Sequence, residues 1–282
     1  MKQNNFCIVG LGLLGGSYAM ALTRAGKTVT AIDIRGEAID YAKEKGIITD
    51  GAVSNYEQLL QDADAVILGL YPSALISWVR DNQQYFKSGA MITDVCGVKT
   101  GVVDEVQSFL RSDVEFIASH PMAGREVSGV EYANCDIFKP ANFIITPTEK
   151  NTAAGKEFAL QLAETLGFAH ITTLSPAAHD KMIGYVSQLT HAIAVSLMNA
   201  SANEHLAEYT GDSFRDLTRI AHINENLWSE LFLHNKKNLI AEIDQFEASL
   251  NDLRQKLVDD DIEGLKKLFV TSTFRRHWFD KR

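Results

Sequence analysis

The chain has 282 residues, 46% of them hydrophobic and 22% charged, with 36 acidic against 27 basic side chains and a formal net charge of −9. That length fits two domains better than one, and the composition excludes disorder, collagen and a disulfide scaffold. The acidic balance argues against a nucleic-acid or anionic-membrane partner, since either calls for a basic surface.

From the N-terminus, the uncharged run 3–23 ends in Ala19-Met20-Ala21 and superficially resembles a signal peptide. Its glycines, Gly10, Gly12, Gly15 and Gly16, form a pattern with its own physical meaning, so the run is read as part of the fold. The stretch 65–79 is broken by Pro72 and is too short to span a membrane, and the protein is read as soluble. Cys7, Cys96 and Cys135 are odd in number, widely spaced and outside any CxxC or Cys/His cluster. They point to reduced thiols in a cytoplasm and to no metal site.

Short β-branched runs at 6–9, 28–32, 65–70, 91–93, 114–118, 143–146 and 170–173 alternate with segments of helical length at 13–25, 37–44, 75–86, 100–110 and 152–166. Strand and helix in alternation predict an α/β domain with a mostly parallel, doubly wound sheet over residues 1–173. Ser175-Pro176 is a good helix start and no convincing strand follows it, so residues 174–282 are predicted to be all helical. Helices are expected at 177–208, 214–222, 226–259 and 262–279, with a break at 209–212. In the third, Leu239, Ile243, Phe246, Leu250, Leu253 and Leu257 form a seam that a second helix can fill, from its own chain or from another copy.

Three constellations carry chemistry. Gly10-Leu11-Gly12-Leu13-Leu14-Gly15 follows one predicted strand and opens a helix, the context that makes GxGxxG informative. Gly10 permits the turn, Gly12 lets the backbone approach a pyrophosphate, and Gly15 lets helix and strand close up, while the helix N-terminus offers N–H donors to the anion. Asp33 ends the second strand, where a carboxylate accepts from ribose hydroxyls and repels a 2′-phosphate; this favours NAD over NADP. Arg35 stands nearby, able to cover adenine or to pair with a phosphate. Second, Ser119-His120-Pro121-Met122-Ala123-Gly124-Arg125-Glu126 is placed just beyond a strand of the same sheet, so His120 can face a nicotinamide as a general base. On spacing alone His120 is equally well read as a turn-capping histidine. Third, Asp216 and Arg219 share a helix face, as an ion pair on the surface or a fork for a carboxylate. His191 lies in an apolar helix, where a satisfied core histidine is the commoner outcome, and the other histidines form no metal spacing.

Together these segments resemble the prephenate dehydrogenase family of tyrosine biosynthesis. The match runs through GLGLLGGS (10–17), TDVCGVK (93–99), SHPMAGREVSG (119–129), VSQLTHA (186–192) and FRDLTRIA (214–221). The resemblance implies a Rossmann-type sheet followed by an all-α dimerisation domain, a homodimer, and NAD-dependent oxidative decarboxylation of prephenate to 4-hydroxyphenylpyruvate. By position, His120 matches the family's catalytic histidine, Arg219 its substrate-carboxylate arginine, and His191 a second active-site histidine. Glu126 and Asp216 match acids in a network with that arginine, and Trp228 a tryptophan placed near the partner's site. Two positions depart from the pattern. Cys96-Gly97 stands where the family usually has Gly-Ser, removing a hydroxyl that orients histidine, substrate and nicotinamide, and Arg125 stands where a small or hydroxyl residue is common. Arogenate is the alternative substrate, and a cationic Arg125 would repel its ammonium group. A β-hydroxyacid dehydrogenase would call on Lys181, and a non-catalytic NAD-binding regulator would bind without turnover.

Overall fold

The computed structural model describes residues 2–280. The chain opens β1 (Asn5–Val9), α1 (Leu13–Arg24), β2 (Thr28–Ile32), α2 (Gly36–Glu44), β3 (Asp50–Ala52), α3 (Glu57–Asp62), β4 (Ala65–Leu68), α4 (Pro72–Asn82), β5 (Met91–Asp94), α5 (Thr100–Phe109) and β6 (Glu115–Phe116). Its six strands form one sheet in the order β3-β2-β1-β4-β5-β6, and every pairing is parallel. This is the doubly wound order whose chain reversal lies between β1 and β4, with ligands bound off the strands' carboxyl ends there. Parallel strands are covered on both faces, which explains why β1 is apolar at successive positions. Phe6 and Ile8 join one buried cluster, and Cys7 and Val9 join the other. The uncharged N-terminal run therefore supplies a central strand of the sheet, β1, and most of the helix that follows it. The three cysteines are free and buried.

Two features depart from the expected single sheet. The edge strand β3 was not anticipated, because Asp-Gly-Ala carries no β-branched signal. The expected strand at 114–118 divides between two sheets. Glu115 and Phe116 pair with β5, whereas β7 (Ala118–Pro121) runs antiparallel to β8 (Asn142–Thr146), itself parallel to β9 (His170–Thr173), with α6 (Ala153–Leu166) between those two in the chain. The cause is at Ser119. Asp94, at the end of β5, accepts its N–H at 3.1 Å through a side-chain oxygen and its hydroxyl at 2.9 Å through the backbone carbonyl. His120 is thus not beyond a strand of the large sheet; it lies within β7, paired with Ile144.

The helical part begins as expected, with the Ser175 hydroxyl accepting from the Ala178 N–H and Pro176 in the first turn of α7 (Pro176–Ile183). A π-helical turn, Gly184–Leu189, joins it to α8 (Thr190–Asn199); α9 (Leu206–Tyr209), α10 (Asp212–Thr218) and α11 (Glu225–His234) follow. The break expected at 209–212 falls between α9 and α10, but the long helix expected at 177–208 is interrupted. So is the one expected at 226–259: Asn235 separates α11 from α12 (Lys236–Val258), which is followed by α13 (Ile262–Arg276). Asn235 leaves helical geometry while its buried side-chain amide donates to Asp180 O at 2.8 Å and to Gln188 Oε1 at 2.7 Å. Contacts divide the chain into two compact units, one through Asn235 and one from Lys236 onward, so α7 to α11 belong to the same unit as the sheets. Among the described residues no helix is long and apolar enough to cross a membrane.

Candidate active site

The glycine turn sits at the carboxyl end of β1, beside β4. Gly10 has φ +92, and a Cβ there would lie 2.6 Å from Gly69 O; one on Gly15 would lie 1.9 Å from Gly10 O. Both positions exclude any larger residue. A Cβ on Gly12 would meet nothing within 4 Å, so that face is open. No side chain caps α1, so its first N–H groups, at Leu13 and Leu14, are left available to an anion. Asp33 closes one side of it. Its carboxylate accepts from Leu11 N at 2.6 Å and Arg35 N at 2.8 Å, and the Arg35 guanidinium folds back to within 3.6 Å of that carboxylate while donating to Leu11 O at 3.2 Å. Open glycine face, uncapped helix terminus and fixed carboxylate together suit the pyrophosphate and ribose of a dinucleotide.

His120 lies at the carboxyl end of β5. A Cβ on Gly97 would be 3.9 Å from its Cε1 and 3.3 Å from Leu231 Cδ2, so α11 fills the space beside the missing serine side chain. The frame is a buried ion pair: Lys99 Nζ meets Asp94 Oδ2 at 2.5 Å, both side chains fully enclosed, and Asp94 also accepts from the N–H groups of Cys96 and Ser119. Every lone pair in use has a donor, which offsets the desolvation of the two charges. His120 Nδ1 lies 2.9 Å from His179 Nε2, and His179 Nδ1 lies 2.8 Å from Asp180 Oδ1. Burial first, then His179 and Lys99, hold the His120 pKa well below its ordinary value, so the ring is neutral and able to accept a proton.

A second cluster adjoins it. The Arg219 guanidinium pairs with Glu126, not with Asp216 as the shared helix face suggested. Asp216 is exposed on α10, and Arg125 is exposed on the loop after β7, the loop that also carries Glu126. His191 stacks on Trp228 of the same chain, with ring centroids 3.6 Å apart. Its Nδ1 is 2.9 Å from Ser187 O, and because a carbonyl only accepts, Nδ1 carries the proton and Nε2 is left as an acceptor. Burial lowers the His191 pKa, opposed by the Ser187 bond and by Glu126, with Arg219 lowering it further. Trp228 and Leu231, one turn apart on α11, tie this cluster to Gly97 and His120. The segment from Asp94 to Lys99, at the end of a strand, was expected beside His120 and is found there, whereas sequence reasoning missed His179 and Asp180. One signal was available: α5 starts at Lys99-Thr100 without a side-chain cap of its own, so its first N–H groups need an acceptor from elsewhere, and Asp180 supplies it.

Comparison with known proteins agrees with this arrangement. Residues 18–171 match the family model described as the prephenate dehydrogenase nucleotide-binding domain, and residues 175–271 match its dimerization domain. The chain is 30% identical to the prephenate dehydrogenase of Bacillus subtilis, over 96% of this chain and 74% of that protein. It is 28% identical to the cyclohexadienyl dehydrogenase of Zymomonas mobilis, over 95% and 93% of the two chains. The crystal structure of prephenate dehydrogenase from A. aeolicus in complex with hydroxyphenyl propionate and NAD+ superposes with a TM-score of 0.92 at 31% identity, covering 99% of each chain. With its glycine cradle, its framed histidine and these matches along nearly its whole length, the chain belongs to the prephenate dehydrogenase family.

Proposed function

We propose that this chain catalyses the NAD-dependent oxidative decarboxylation of prephenate to 4-hydroxyphenylpyruvate. One observation carries the proposal: His120 is neutral, held through Nδ1, and leaves Nε2 without a hydrogen bond among the described residues, beside the carboxyl end of β5. The relative crystallised with hydroxyphenyl propionate and NAD+ supports the choice of ligands.

Gly10, Gly12, Gly15 and the α1 N-terminus would hold the pyrophosphate and Asp33 the adenosine ribose; exposed Ile34 would offer an apolar seat to adenine. Arg35 is engaged with Asp33 and Leu11 O, which favours NAD over its 2′-phosphorylated form. When bound, NAD accepts the hydride from ring C4. His120 takes the C4 hydroxyl proton on Nε2, and loss of the ring carboxylate as carbon dioxide then aromatises the ring. Arg219 would clamp a substrate carboxylate, with Glu126 fixing the guanidinium, while His191 and Trp228 present a polar edge and a flat face to the ring. Arg125 would disfavour the ammonium group of arogenate. Lys181, which a β-hydroxyacid dehydrogenase would use, is exposed on α7.

Assays of prephenate and arogenate with NAD and NADP, in all four pairs, test this. The highest kcat/KM is expected for prephenate with NAD, and a higher value for arogenate or an equal one for NADP would overturn the assignment. We also propose a homodimer through the α12–α13 unit, where Leu250, Leu257, Phe269, Val270 and Phe274 are all more than half exposed in the single chain. Sedimentation at micromolar concentration should give twice the chain mass, and a monomer would refute it.

A further inference from the structure

Behind His120 stand two buried side chains that the proposed chemistry does not use directly. His179 is fully enclosed and Asp180 nearly so. The Asp180 carboxylate accepts from Lys99 N and Thr100 N, each at 2.8 Å, and faces His179 Nδ1 at 2.8 Å. Burial works against its charge, but the bonds from His179 and Thr100 prevail and keep the carboxyl pKa below its ordinary value. An ionised carboxylate only accepts, so His179 carries its proton on Nδ1. Its own pKa is lowered by burial in spite of Asp180, so the ring is neutral and Nε2 holds a lone pair. That lone pair faces His120 Nδ1 at 2.9 Å, which must then be the donor. The proton positions along the chain of three groups are thereby determined: Asp180 accepts from His179, His179 accepts from His120, and His120 keeps its Nε2 lone pair for substrate. The opposite arrangement would set the Nδ1 lone pair of His179 against a carboxylate oxygen.

We infer that His179 and Asp180 are positioning residues, a relay that holds His120 in the Nδ1–H tautomer and supports the imidazolium formed when its Nε2 takes the substrate's proton. This rests on His120 being the base. The proton stays on His120, and Asp180 supplies orientation and charge without being protonated, as an aspartate does behind a catalytic histidine in hydrolytic triads. The same Asp180 caps α5, which ties the relay to the Gly97 loop against which His120 rests. With no serine at position 97, the two buried residues are the groups that orient the base.

The test combines steady-state kinetics of His179→Phe and Asp180→Asn, using prephenate and NAD, with ¹⁵N NMR of the histidine rings in the wild-type protein. For either variant kcat should fall at least about tenfold, with KM for prephenate and Kd for NAD changed by no more than about twofold. In the wild type at neutral pH, His120 should be protonated on Nδ1 and bare on Nε2. A folded variant with wild-type kcat, or one whose loss lies in KM, would overturn the relay, as would a wild-type His120 protonated on Nε2. His120→Asn separates the two levels: full kcat in that variant removes His120 as the base, whereas the ring spectrum reads the relay without any turnover. If both variants fail to fold, the wild-type spectrum decides alone.

Discussion

At His120 the local electrostatics set a pH dependence. Its charged form is disfavoured by burial, His179 and Lys99, so its pKa lies well below the ordinary 6.5. As the proposed base, His120 would act when neutral; a lowered pKa keeps it neutral further into acid, and the acid-side fall in kcat/KM should come below pH 6.5. A profile whose half-maximal point lies at or above 6.5 would contradict this environment. A second residue-scale expectation concerns Tyr18, fully buried on α1 and edge-on to Phe138 at 5.2 Å. Its hydroxyl has no hydrogen-bond partner among the described residues. An unsatisfied buried hydroxyl costs about 1–3 kcal/mol, so Tyr18→Phe should leave stability unchanged or raise it. Chemical denaturation checks this, and a loss of more than about 1 kcal/mol would mean that the hydroxyl is satisfied after all.

Among the elements, α7, its π-helical turn and α11 do the positioning. The π turn places Gln188 inward, where its amide donates to Leu231 O at 2.9 Å and its carbonyl accepts from Asn235. Asn235 in turn holds Asp180 O, so one side chain both ends α11 and steadies the residue behind the candidate base. Asn235→Ala removes both bonds and leaves their acceptors buried, which should cost about 1–3 kcal/mol in a denaturant titration. An unchanged midpoint would show that the break has another cause. This interruption was not legible in the sequence, because the apolar spacing runs on through position 235 and the reason to stop lies in Asp180 and Gln188. The glycine turn was legible because Gly10 and Gly15 are required by close backbone contacts with Gly69 and within the turn itself, while Gly12 keeps its open face. The separation of β6 from β7 was not, since it depends on Asp94 reaching Ser119, 25 residues later.

Across the whole molecule, the division into a doubly wound sheet and a helical remainder followed from local pattern, whereas the site draws on β1, β5, β7, α7, α8 and α11. His120, His191 and Arg219 could be named from the sequence through motif resemblance, while His179 and Asp180 could not: neighbours in a helix do not normally face each other, and neither makes a periodic pattern. Despite a net charge of −9, the cation proposed to meet a dianionic substrate is local, with Arg219 held by Glu126, while Lys99 is enclosed with Asp94 and belongs to the frame. The most direct measurement is the steady-state rate of prephenate-dependent NAD reduction by the wild type, His120→Asn and Arg219→Ala. His120→Asn should lower kcat by about 10²-fold or more with KM little changed, because it preserves shape but cannot take the proton. Arg219→Ala should raise KM for prephenate, reflecting a loss of about 2 kcal/mol of carboxylate binding in ground and transition states alike. A His120→Asn protein that keeps its kcat, or whose defect lies in KM, would contradict the assignment of His120 as the base.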